Sequence, residues 1–281
     1  MQTLGYYNGK FGELSEMSVP MCDRACYFGD GVYDATYSRN HIIWDLDKHI
    51  DRFYNSAALL RIEISQSKQE MKDILNDMVS KMDGDGNCFV YWQATRGTGP
   101  RNHKFSGMKA NIWIMLTPSE IQPLDKTLKL ITVEDTRFLH CNIKTLNLIP
   151  SVMAAQKADE AGCDEVIFHR HGRVTECAHS NISIIKDGVF VTAPTDHMIL
   201  PGIARANIIA KCKELGYGVD ETEYTVDDLM NADEVILSSS GSLAMRVTEV
   251  DGKPVGGKAG AMLKELQDAL LADFLAYTDK K

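Results

Sequence analysis

The sequence predicts an α+β fold in two domains. Strand-like segments outnumber helical ones, and the helices fall between strands, where they can cover a sheet. A chain of 281 residues suits one large domain or two medium ones. The segment 117–123 contains two prolines and little apolar periodicity, which is typical of a linker. We predict a smaller N-terminal domain over 1–118, a linker over 119–123 and a larger C-terminal domain over 124–281.

The N-terminal part is predicted to form a sheet with two covering helices. Asn8-Gly9 is a typical two-residue turn, so residues 2–11 should form a hairpin. Ile50, Phe53, Ala57 and Leu60 make one apolar stripe of a helix that begins near residue 47. A second helix is predicted over 67–82, and further strands over 30–38, 41–44, 88–95 and 111–116.

The C-terminal part is predicted to contain more strands than helices. Gly162 and Gly216 should end two of its helices, because glycine readily adopts a left-handed conformation. The helices are predicted over 151–161, from Pro201-Gly202 to about 215, and from about 258 onward. The strands are predicted over 127–134, 164–169, 180–185, 189–192, 218–224, 233–238 and 244–250.

Composition excludes several functional classes. A formal net charge of −9 argues against nucleic acid or an anionic membrane as the main partner. No apolar run approaches the roughly 20 residues that span a bilayer, and no signal peptide is visible. The seven cysteines include no Cys-x-x-Cys pair, so neither a metal site nor a disulfide framework is predicted. We expect a cytoplasmic protein.

Lys144 lies in a stretch, 138–149, where most neighbours are apolar or small. Lysine is rarely buried, because its ammonium group loses hydration there. A lysine held in such a place has a lowered pKa and can form a Schiff base with an aldehyde. The alternative is a lysine whose head group reaches water along an apolar stem.

Four other features are candidate binding groups when they are considered together. Residues 201–205 open a helix, whose N–H groups and dipole attract phosphate, and residues 238–242 offer hydroxyl donors after a strand. Arg52 lies off the apolar stripe of its helix and can present a bidentate fork. Glu176 needs a cationic partner, which a pyridinium nitrogen or an ordinary salt bridge would supply. With an aldehyde-binding lysine, these groups describe pyridoxal 5′-phosphate.

Short motifs across nearly the whole chain support this interpretation. They are Asp23–Tyr33, His49–Arg52, Thr95–Gly97, Pro100–His103, Asn142–Asn147, Val174–Glu176 and Met198–Ile203. In this order and spacing the chain resembles the fold-type IV pyridoxal-phosphate enzymes, in particular the D-amino acid aminotransferases. The resemblance implies a two-domain fold with the cofactor between the domains and its lysine in the C-terminal domain.

The resemblance also implies roles for individual residues. Lys144 would form the Schiff base and later move the substrate proton, Glu176 would pair with the ring nitrogen, and Leu200 would pack on the ring. The substrate carboxylate would be trapped by Tyr33, Arg101 and His103. The last two reach in from the neighbouring subunit in the family, which implies a homodimer. The phosphate would be held by Arg52, the backbone of Ile203 and Ala204, and Ser239 and Ser240.

Arg101 and His103 are spaced by two residues and would point the same way on an extended loop. A charged loop tip is the alternative reading of this pair. Three other positions depart from the family pattern, at Cys177, His179 and Tyr37, and these departures are expected on the substrate side.

The leading hypothesis is therefore transamination between a D-amino acid such as D-alanine and a 2-oxo acid such as 2-oxoglutarate. Other reactions of the fold remain open: aminodeoxychorismate lyase, branched-chain L-amino acid aminotransferase and (R)-amine transaminase. Outside enzymes, the alternative is a catalytically silent protein that binds the cofactor. The pair of Arg101 and His103 favours the D-amino acid enzyme over the other reactions of the fold. The presence of Lys144 and Glu176 argues against a silent protein.

Overall fold

A computed structural model describes residues 2–279, which divide into two compact units. Unit 1 comprises Met1–Ile121, Ile143–Asn147 and Phe274–Lys281, and unit 2 comprises Gln122–Asn142 and Leu148–Asp273. The lysine segment 143–147 thus groups with unit 1, whereas the sequence pattern assigns it to the C-terminal domain. The reason is local, because this segment pairs with a strand of unit 1 through Val32 and Thr145.

Unit 1 is built on one six-stranded antiparallel sheet with the order β2-β1-β6-β5-β3-β4. Its strands are β1 (Leu4–Tyr7), β2 (Lys10–Glu13), β3 (Gly31–Arg39), β4 (Ile42–Ile43), β5 (Cys88–Thr95) and β6 (Asn111–Pro118). Its helices are α1 (Arg24–Phe28), α2 (Leu46–Leu59) and α3 (Lys68–Ser80).

The local structure of unit 1 follows from its sequence. Asn8 and Gly9 both have positive φ, 46° and 93°, as the predicted hairpin turn requires. The apolar stripe of α2 is buried at Ile50, Phe53 and Ala57. The first helix, α1, was not predicted from periodicity, because it is only five residues long and depends on Asp23 as its N-cap.

Unit 2 is built on a nine-stranded mixed sheet with the order β12-β11-β10-β13-β14-β7-β8-β9, and β15 pairs with β14. The strands are β7 (Thr127–Glu134), β8 (Glu165–Arg170), β9 (Arg173–Cys177), β10 (Asn181–Lys186), β11 (Val189–Thr192), β12 (Gly218–Asp220), β13 (Glu234–Ser238), β14 (Met245–Val250) and β15 (Lys253–Pro254). The helices of this half of the chain are α4 (Ile149–Glu160), α5 (Ile203–Glu214), α6 (Val226–Met230) and α7 (Gly260–Thr278).

Two elements of unit 2 differ from the sequence-based expectation. The strand predicted over 218–224 ends at Asp220, and Thr225 then caps the short helix α6 in a capping box with Asp228. The segment after β8 turns sharply at His171 and Gly172, both with positive φ, so that β9 returns beside β8. Both features depend on turn and cap residues, which carry no apolar periodicity.

The structure bears on two further expectations drawn from composition. None of the helices within residues 2–279 combines the length and apolar character needed to cross a membrane. The cysteines at 22, 26, 88, 141, 163, 177 and 212 are all free thiols.

Candidate active site

The backbone of Lys144 is fixed from two sides within unit 1. Its carbonyl oxygen accepts a hydrogen bond from the Tyr33 N–H at 2.9 Å, and its own N–H donates to the buried Ser56 Oγ at 3.2 Å. The Nζ atom lies 4.3 Å from the centroid of the Tyr33 ring. An aromatic face stabilises an ammonium group through its quadrupole. The structure therefore brings together two residues, Lys144 and Tyr33, that the sequence assigns to one site.

Arg52 forms a bidentate ion pair with a buried carboxylate. Its Nε and Nη2 atoms donate to Oδ2 and Oδ1 of Asp34 at 2.9 and 2.7 Å. His49 Nδ1 lies 2.7 Å from the same Asp34 Oδ1, and both His49 and Asp34 are completely buried. Arg52 is therefore held in one orientation by its partner, unlike the solvated arginine that the helix pattern alone would allow.

The charges in this cluster are set by burial and by pairing. Burial alone would raise the pKa of Asp34, but Arg52 and His49 outweigh it and hold that pKa well below its usual range. Burial lowers the pKa of His49, against the opposing effect of Asp34. Because an ionised carboxylate only accepts hydrogen bonds, Nδ1 of His49 is the protonated nitrogen.

Glu176 is the corresponding buried carboxylate of unit 2. Its Oε1 accepts a hydrogen bond from Arg137 Nη1 at 2.5 Å, and its Oε2 accepts from Asn181 Nδ2 at 3.1 Å and from the Leu200 N–H at 2.9 Å. Donors of this kind stabilise the ionised form of a carboxylate. The salt-bridge alternative for Glu176 is thus realised through Arg137, a residue that the sequence pattern did not identify.

Arg137 is itself held by a network of charges. Its Nε and Nη2 atoms donate to Asp135 at 3.0 and 2.9 Å, and Arg170 Nε donates to Asp135 at 3.1 Å. Burial would lower the pKa of Arg137, but the hydrogen bond to Asp135 and the charge of Glu176 raise it above its usual value. Asp135 and Arg137 directly follow β7. A charged pair at the end of an apolar strand was the sequence signal that could have identified these residues as candidates.

Asn181 joins Glu176 to the segment that opens α5. Besides its bond to Glu176, its Nδ2 donates to the Leu200 carbonyl oxygen at 3.1 Å. Its Oδ1 lies so close to Gly202 that a Cβ atom at this position would collide with it. Glycine at 202 is therefore required by the close approach of Asn181, and the structure brings together Leu200 and Glu176 as predicted site residues.

The predicted phosphate-binding residues of unit 2 lie at a helix start and in a tight turn. Ile203 and Ala204 begin α5, whose N-cap, Gly202, makes no side-chain capping hydrogen bond. In the neighbouring turn, the Ser239 carbonyl oxygen accepts from the Ser242 N–H at 3.1 Å. These features supply N–H and hydroxyl donors, and Ser239 and Ser240 are both half-buried.

Two observations describe the surroundings of this donor set. Ser238 is paired with Asn181 between β13 and β10, so the serine turn follows directly from the strand beside Asn181. The buried Oγ of Ser238 has no hydrogen-bond partner among the residues that the structure describes. An unsatisfied buried hydroxyl next to a serine turn is expected where a ligand completes the hydrogen bonding.

Arg101 and His103 are exposed residues of the loop between β5 and β6. The Cζ atom of Arg101 lies 5.3 Å from the centroid of the Phe28 ring, and the His103 ring lies 5.0 Å from it. The structure thus brings both side chains to one aromatic ring. Tyr33, the third residue of the predicted trap, lies on β3, where it stacks on Tyr91 at 5.4 Å.

The positions that depart from the family pattern lie in different surroundings. Cys177 is 1% exposed and packs in the apolar core of unit 2. His179 is exposed, and its N–H donates to the buried Glu165 at 2.9 Å. Tyr37 lies edge-on to Phe89 at 5.4 Å.

Comparison with known proteins identifies the family. Residues 31–250 match the sequence profile of amino-transferase class IV. The chain belongs to this family. Such an aminotransferase of fold type IV depends on pyridoxal 5′-phosphate, so the predicted fold class, enzyme class and cofactor are confirmed.

Two curated relatives of this class IV aminotransferase match along almost their whole length. The D-alanine aminotransferase of Bacillus licheniformis is 39% identical over 281 residues, which cover 98% of each chain. The D-alanine aminotransferase of Listeria monocytogenes serotype 4b is 37% identical over 276 residues, or 95% of each chain.

Solved structures show the same fold. The branched-chain aminotransferase of Thermoproteus uzoniensis, solved with norvaline, has a TM-score of 0.90 at 21% identity and covers 99% of this chain and 97% of its own. A branched-chain amino acid aminotransferase from T.th., complexed with N-(5′-phosphopyridoxyl)-L-glutamate, has a TM-score of 0.89 at 26% identity, with 100% and 96% covered.

Replacing Asp34 with Asn should lower the free energy of unfolding at neutral pH by about 3–5 kcal/mol. The change leaves the Arg52 side chain, which is only 10% exposed, without the charge of Asp34. The pKa of Asp34 is lowered by folding. Its contribution is therefore complete above the unfolded pKa of about 3.9 and is lost as the pH falls toward the folded pKa. Denaturant unfolding of wild type and variant, measured from about pH 5 to about pH 3, should show a shrinking difference.

The matched control for this measurement is Asp51→Asn, which removes only an exposed ion pair with Lys68. Such surface pairs contribute little to stability, so this variant should unfold like the wild type. A difference between wild type and Asp34→Asn that stayed constant across the pH range would show that Asp34 is not the titrating group.

Proposed function

We propose that this class IV aminotransferase transfers the amino group of a D-amino acid, such as D-alanine, to a 2-oxo acid, such as 2-oxoglutarate. The observation that carries the proposal is the pairing of Arg101 and His103 beside Phe28 in a chain that is 37–39% identical to two D-alanine aminotransferases. A guanidinium and an imidazole that converge on one place are suited to bind a carboxylate. In this proposal Tyr33 supplies the third donor.

The cofactor side of the reaction would depend on Lys144 and Glu176. Bound pyridoxal phosphate supplies an electron sink that stabilises negative charge on the substrate carbon. The amine of Lys144 would hold the cofactor and carry the proton to and from that carbon. The Tyr33 ring, 4.3 Å from Nζ, would stabilise the ammonium form of Lys144 after it has taken the proton.

Glu176 would keep the ring nitrogen protonated. This role needs a carboxylate that stays ionised although it is only 6% exposed. Arg137, Asn181 and the Leu200 N–H satisfy that requirement with their hydrogen bonds to its oxygens. Leu200, held through its own N–H and carbonyl groups, would then present its side chain to the ring face.

The phosphate group would be held by donors of three kinds. Arg52 supplies a guanidinium whose plane is set by Asp34. The N–H groups of Ile203 and Ala204 add the positive end of the α5 dipole, and the hydroxyls of Ser239 and Ser240 complete the set. Together they match a small dianion in a chain whose net charge is −9.

We further propose that the enzyme is a cytoplasmic homodimer in which Arg101 and His103 serve the partner's substrate. Large apolar side chains are exposed on α4 and just before it in unit 2. They are Phe138 (42%), Leu139 (51%), Leu148 (37%), Ile149 (74%), Val152 (57%) and Met153 (58%). Apolar patches of this kind mark protein interfaces. The seven free thiols suit a reducing compartment.

A second candidate is a branched-chain L-amino acid aminotransferase, which the structural similarity to the T.th. enzyme at 26% identity favours. The two candidates require opposite configurations at the substrate carbon. Adding D-alanine to the purified holoenzyme should change its cofactor absorption spectrum, and L-leucine should leave it unchanged. Lys144→Ala is the control that should turn over neither amino acid. A response to L-leucine alone would establish the second candidate.

Glu176→Gln should retain the cofactor and lower kcat for D-alanine by about tenfold or more. A neutral amide stabilises a protonated ring nitrogen far less than a carboxylate does. Glu165→Gln is the matched control, because Glu165 is a buried glutamate of the same unit that contacts His179 and Ser180 instead. Steady-state kinetics measure kcat, and cofactor absorbance shows whether each variant retains the cofactor. Equal turnover of wild type and Glu176→Gln would exclude Glu176 as the partner of the ring nitrogen.

Arg101→Ala should lower kcat/KM for D-alanine by about two orders of magnitude. Hydrogen bonds to a charged group contribute roughly 1.5–3 kcal/mol each, and a tenfold change is about 1.4 kcal/mol. An amine substrate without a carboxylate, such as (R)-1-phenylethylamine, should be affected much less. Lys104→Ala, on the same exposed loop, should leave both substrates unaffected.

The same variant tests the proposed homodimer. Mixing Arg101→Ala chains with Lys144→Ala chains should restore part of the activity, because one of the two mixed sites would then carry both residues. Failure of this complementation in a mixture shown to exchange subunits would place Arg101 in the site of its own chain. Undiminished D-alanine turnover by Arg101→Ala alone would remove it from the site.

A further inference from the structure

A buried arginine lies directly beneath the loop that carries Arg101 and His103. Arg24, the first residue of α1, has a side chain only 3% exposed. Its Nε donates to Asp30 Oδ2 at 2.7 Å, and its Nη1 donates to the Asn102 carbonyl oxygen at 2.5 Å. Asn102 is the residue between Arg101 and His103. The guanidinium of Arg24 therefore holds the peptide that joins the two proposed carboxylate ligands.

Asp30 anchors this guanidinium to the rest of unit 1. It also accepts hydrogen bonds from Arg96 Nε at 2.9 and 3.0 Å, and Arg96 in turn donates to the carbonyl oxygens of Leu60 and Arg61 at 2.9 Å each. Burial would raise the pKa of Asp30, but its bonds to Arg96 and Arg24 lower it, so the group is ionised at neutral pH. Hydrogen bonds through Arg24, Asp30 and Arg96 therefore connect the Asn102 carbonyl oxygen to the end of α2.

The main chain fixes the first part of the loop by itself. The Arg24 N–H donates to the Gly97 carbonyl oxygen, and the Gly99 N–H donates to that of Cys22, both at 3.0 Å. Past Gly99, the side chain of Arg24 makes the contact that reaches Asn102. The chain turns at this point, since the Asn102 N–H donates to the Pro100 carbonyl oxygen at 2.7 Å. Holding the Asn102 carbonyl oxygen restricts the backbone from which both neighbouring side chains extend.

Phe28 supports the same two side chains from α1. Its ring lies 4.9 Å from Arg24 Cζ, 5.3 Å from Arg101 Cζ and 5.0 Å from the His103 ring. Arg24 and Phe28 are four residues apart on a helix and so share one face. One face of α1 therefore contacts the backbone of the loop through Arg24 and its side chains through Phe28.

We infer that Arg24 is a positioning residue for substrate binding: by holding the Asn102 carbonyl oxygen, it sets Arg101 and His103 in the geometry that binds a carboxylate. The inference rests on the proposed function, in which those two residues are the carboxylate ligands. Arg24 itself need not touch the substrate, because its donors are directed to Asp30 and Asn102.

The test uses the holoenzyme and Arg24→Met, which keeps most of the apolar stem and removes the guanidinium. D-lactate, which has a hydroxyl in place of the amino group of D-alanine, reports carboxylate binding without reaction. Its dissociation constant, measured by calorimetry, should rise about tenfold or more, as loss of charge-assisted positioning implies. KM for D-alanine should rise with it more than kcat falls.

A second measurement reports the loop directly. Hydrogen exchange at the Asn102 and Lys104 amides, which are bonded to the Pro100 carbonyl oxygen and to Asn102 Oδ1, should be several-fold faster in Arg24→Met. Arg246→Met is the matched control, because Arg246 forms a comparable ion pair with the buried Glu234 in unit 2. It should change neither measurement.

The Arg101→Ala background separates positioning from general stability. If Arg24 acts through Arg101, adding Arg24→Met to Arg101→Ala should weaken D-lactate binding much less than it does in the wild type. Arg24→Lys, which keeps the charge but cannot reach both acceptors in a fork, should show the same changes to a smaller extent. It also provides the test if Arg24→Met does not fold.

Three results would overturn the inference. If hydrogen exchange in the loop is unchanged in both Arg24 variants while the wild-type enzyme binds D-lactate, the role of Arg24 is overturned and the proposed function is not. Equal weakening of D-lactate binding with and without Arg101 would show that Arg24 does not act through it. Wild-type holoenzyme that neither binds D-lactate nor turns over D-alanine would overturn the proposed function, and the carboxylate trap with it.

Discussion

In each unit, the residues proposed for function include carboxylates that are largely shielded from water and paired with arginines. Glu176 is paired with Arg137, Asp34 with Arg52, and Asp30 with Arg24 and Arg96. Moving an isolated carboxylate out of water costs several kcal/mol, so each of these acids is tolerated only with its partner in place. The requirement acts in both directions, because the same pairing fixes the plane of each guanidinium. A carboxylate of this kind therefore fixes the position of the arginine that is paired with it.

The pairs have different roles in the proposed chemistry. In unit 2, Arg137 lets Glu176 remain a carboxylate, while Asn181 ties it to the main chain of Leu200. In unit 1, Asp34 is the completely buried partner, and Arg52, which is 10% exposed, is the outer partner to which the proposal assigns phosphate binding. Each pair joins residues of a single unit: Asp34 of β3 pairs with Arg52 of α2, and Glu176 of β9 pairs with Arg137 in the loop after β7. The fold of each unit therefore sets the geometry of its own pair.

Much of this could be predicted from the sequence, where the signal is local. The strand at Cys88–Thr95, the buried stripe of α2 and the lysine in its apolar stretch follow from periodicity and composition. The partnership of Arg137 with Glu176 could not be assigned, because Arg137 lies in the loop after β7, Glu176 lies on β9, and no spacing links the two. Asn181 could not be assigned for a similar reason, and burial in a core, as at Cys177, leaves no mark on a single position.

The residues of the two proposed binding functions differ in how they are held. Several of those assigned to the cofactor lie on regular elements, with Arg52 on α2, Glu176 on β9, and Ile203 and Ala204 at the start of α5. Such elements keep their geometry when surface residues change. Arg101 and His103 lie on an exposed loop, whose conformation depends on contacts made beneath it by Arg24 and Phe28. Loops tolerate substitution and insertion far more readily than the elements they connect. A fold shared at a TM-score of 0.89 with an enzyme only 26% identical can therefore keep one cofactor chemistry and change its substrate through the loop and the residues beneath it.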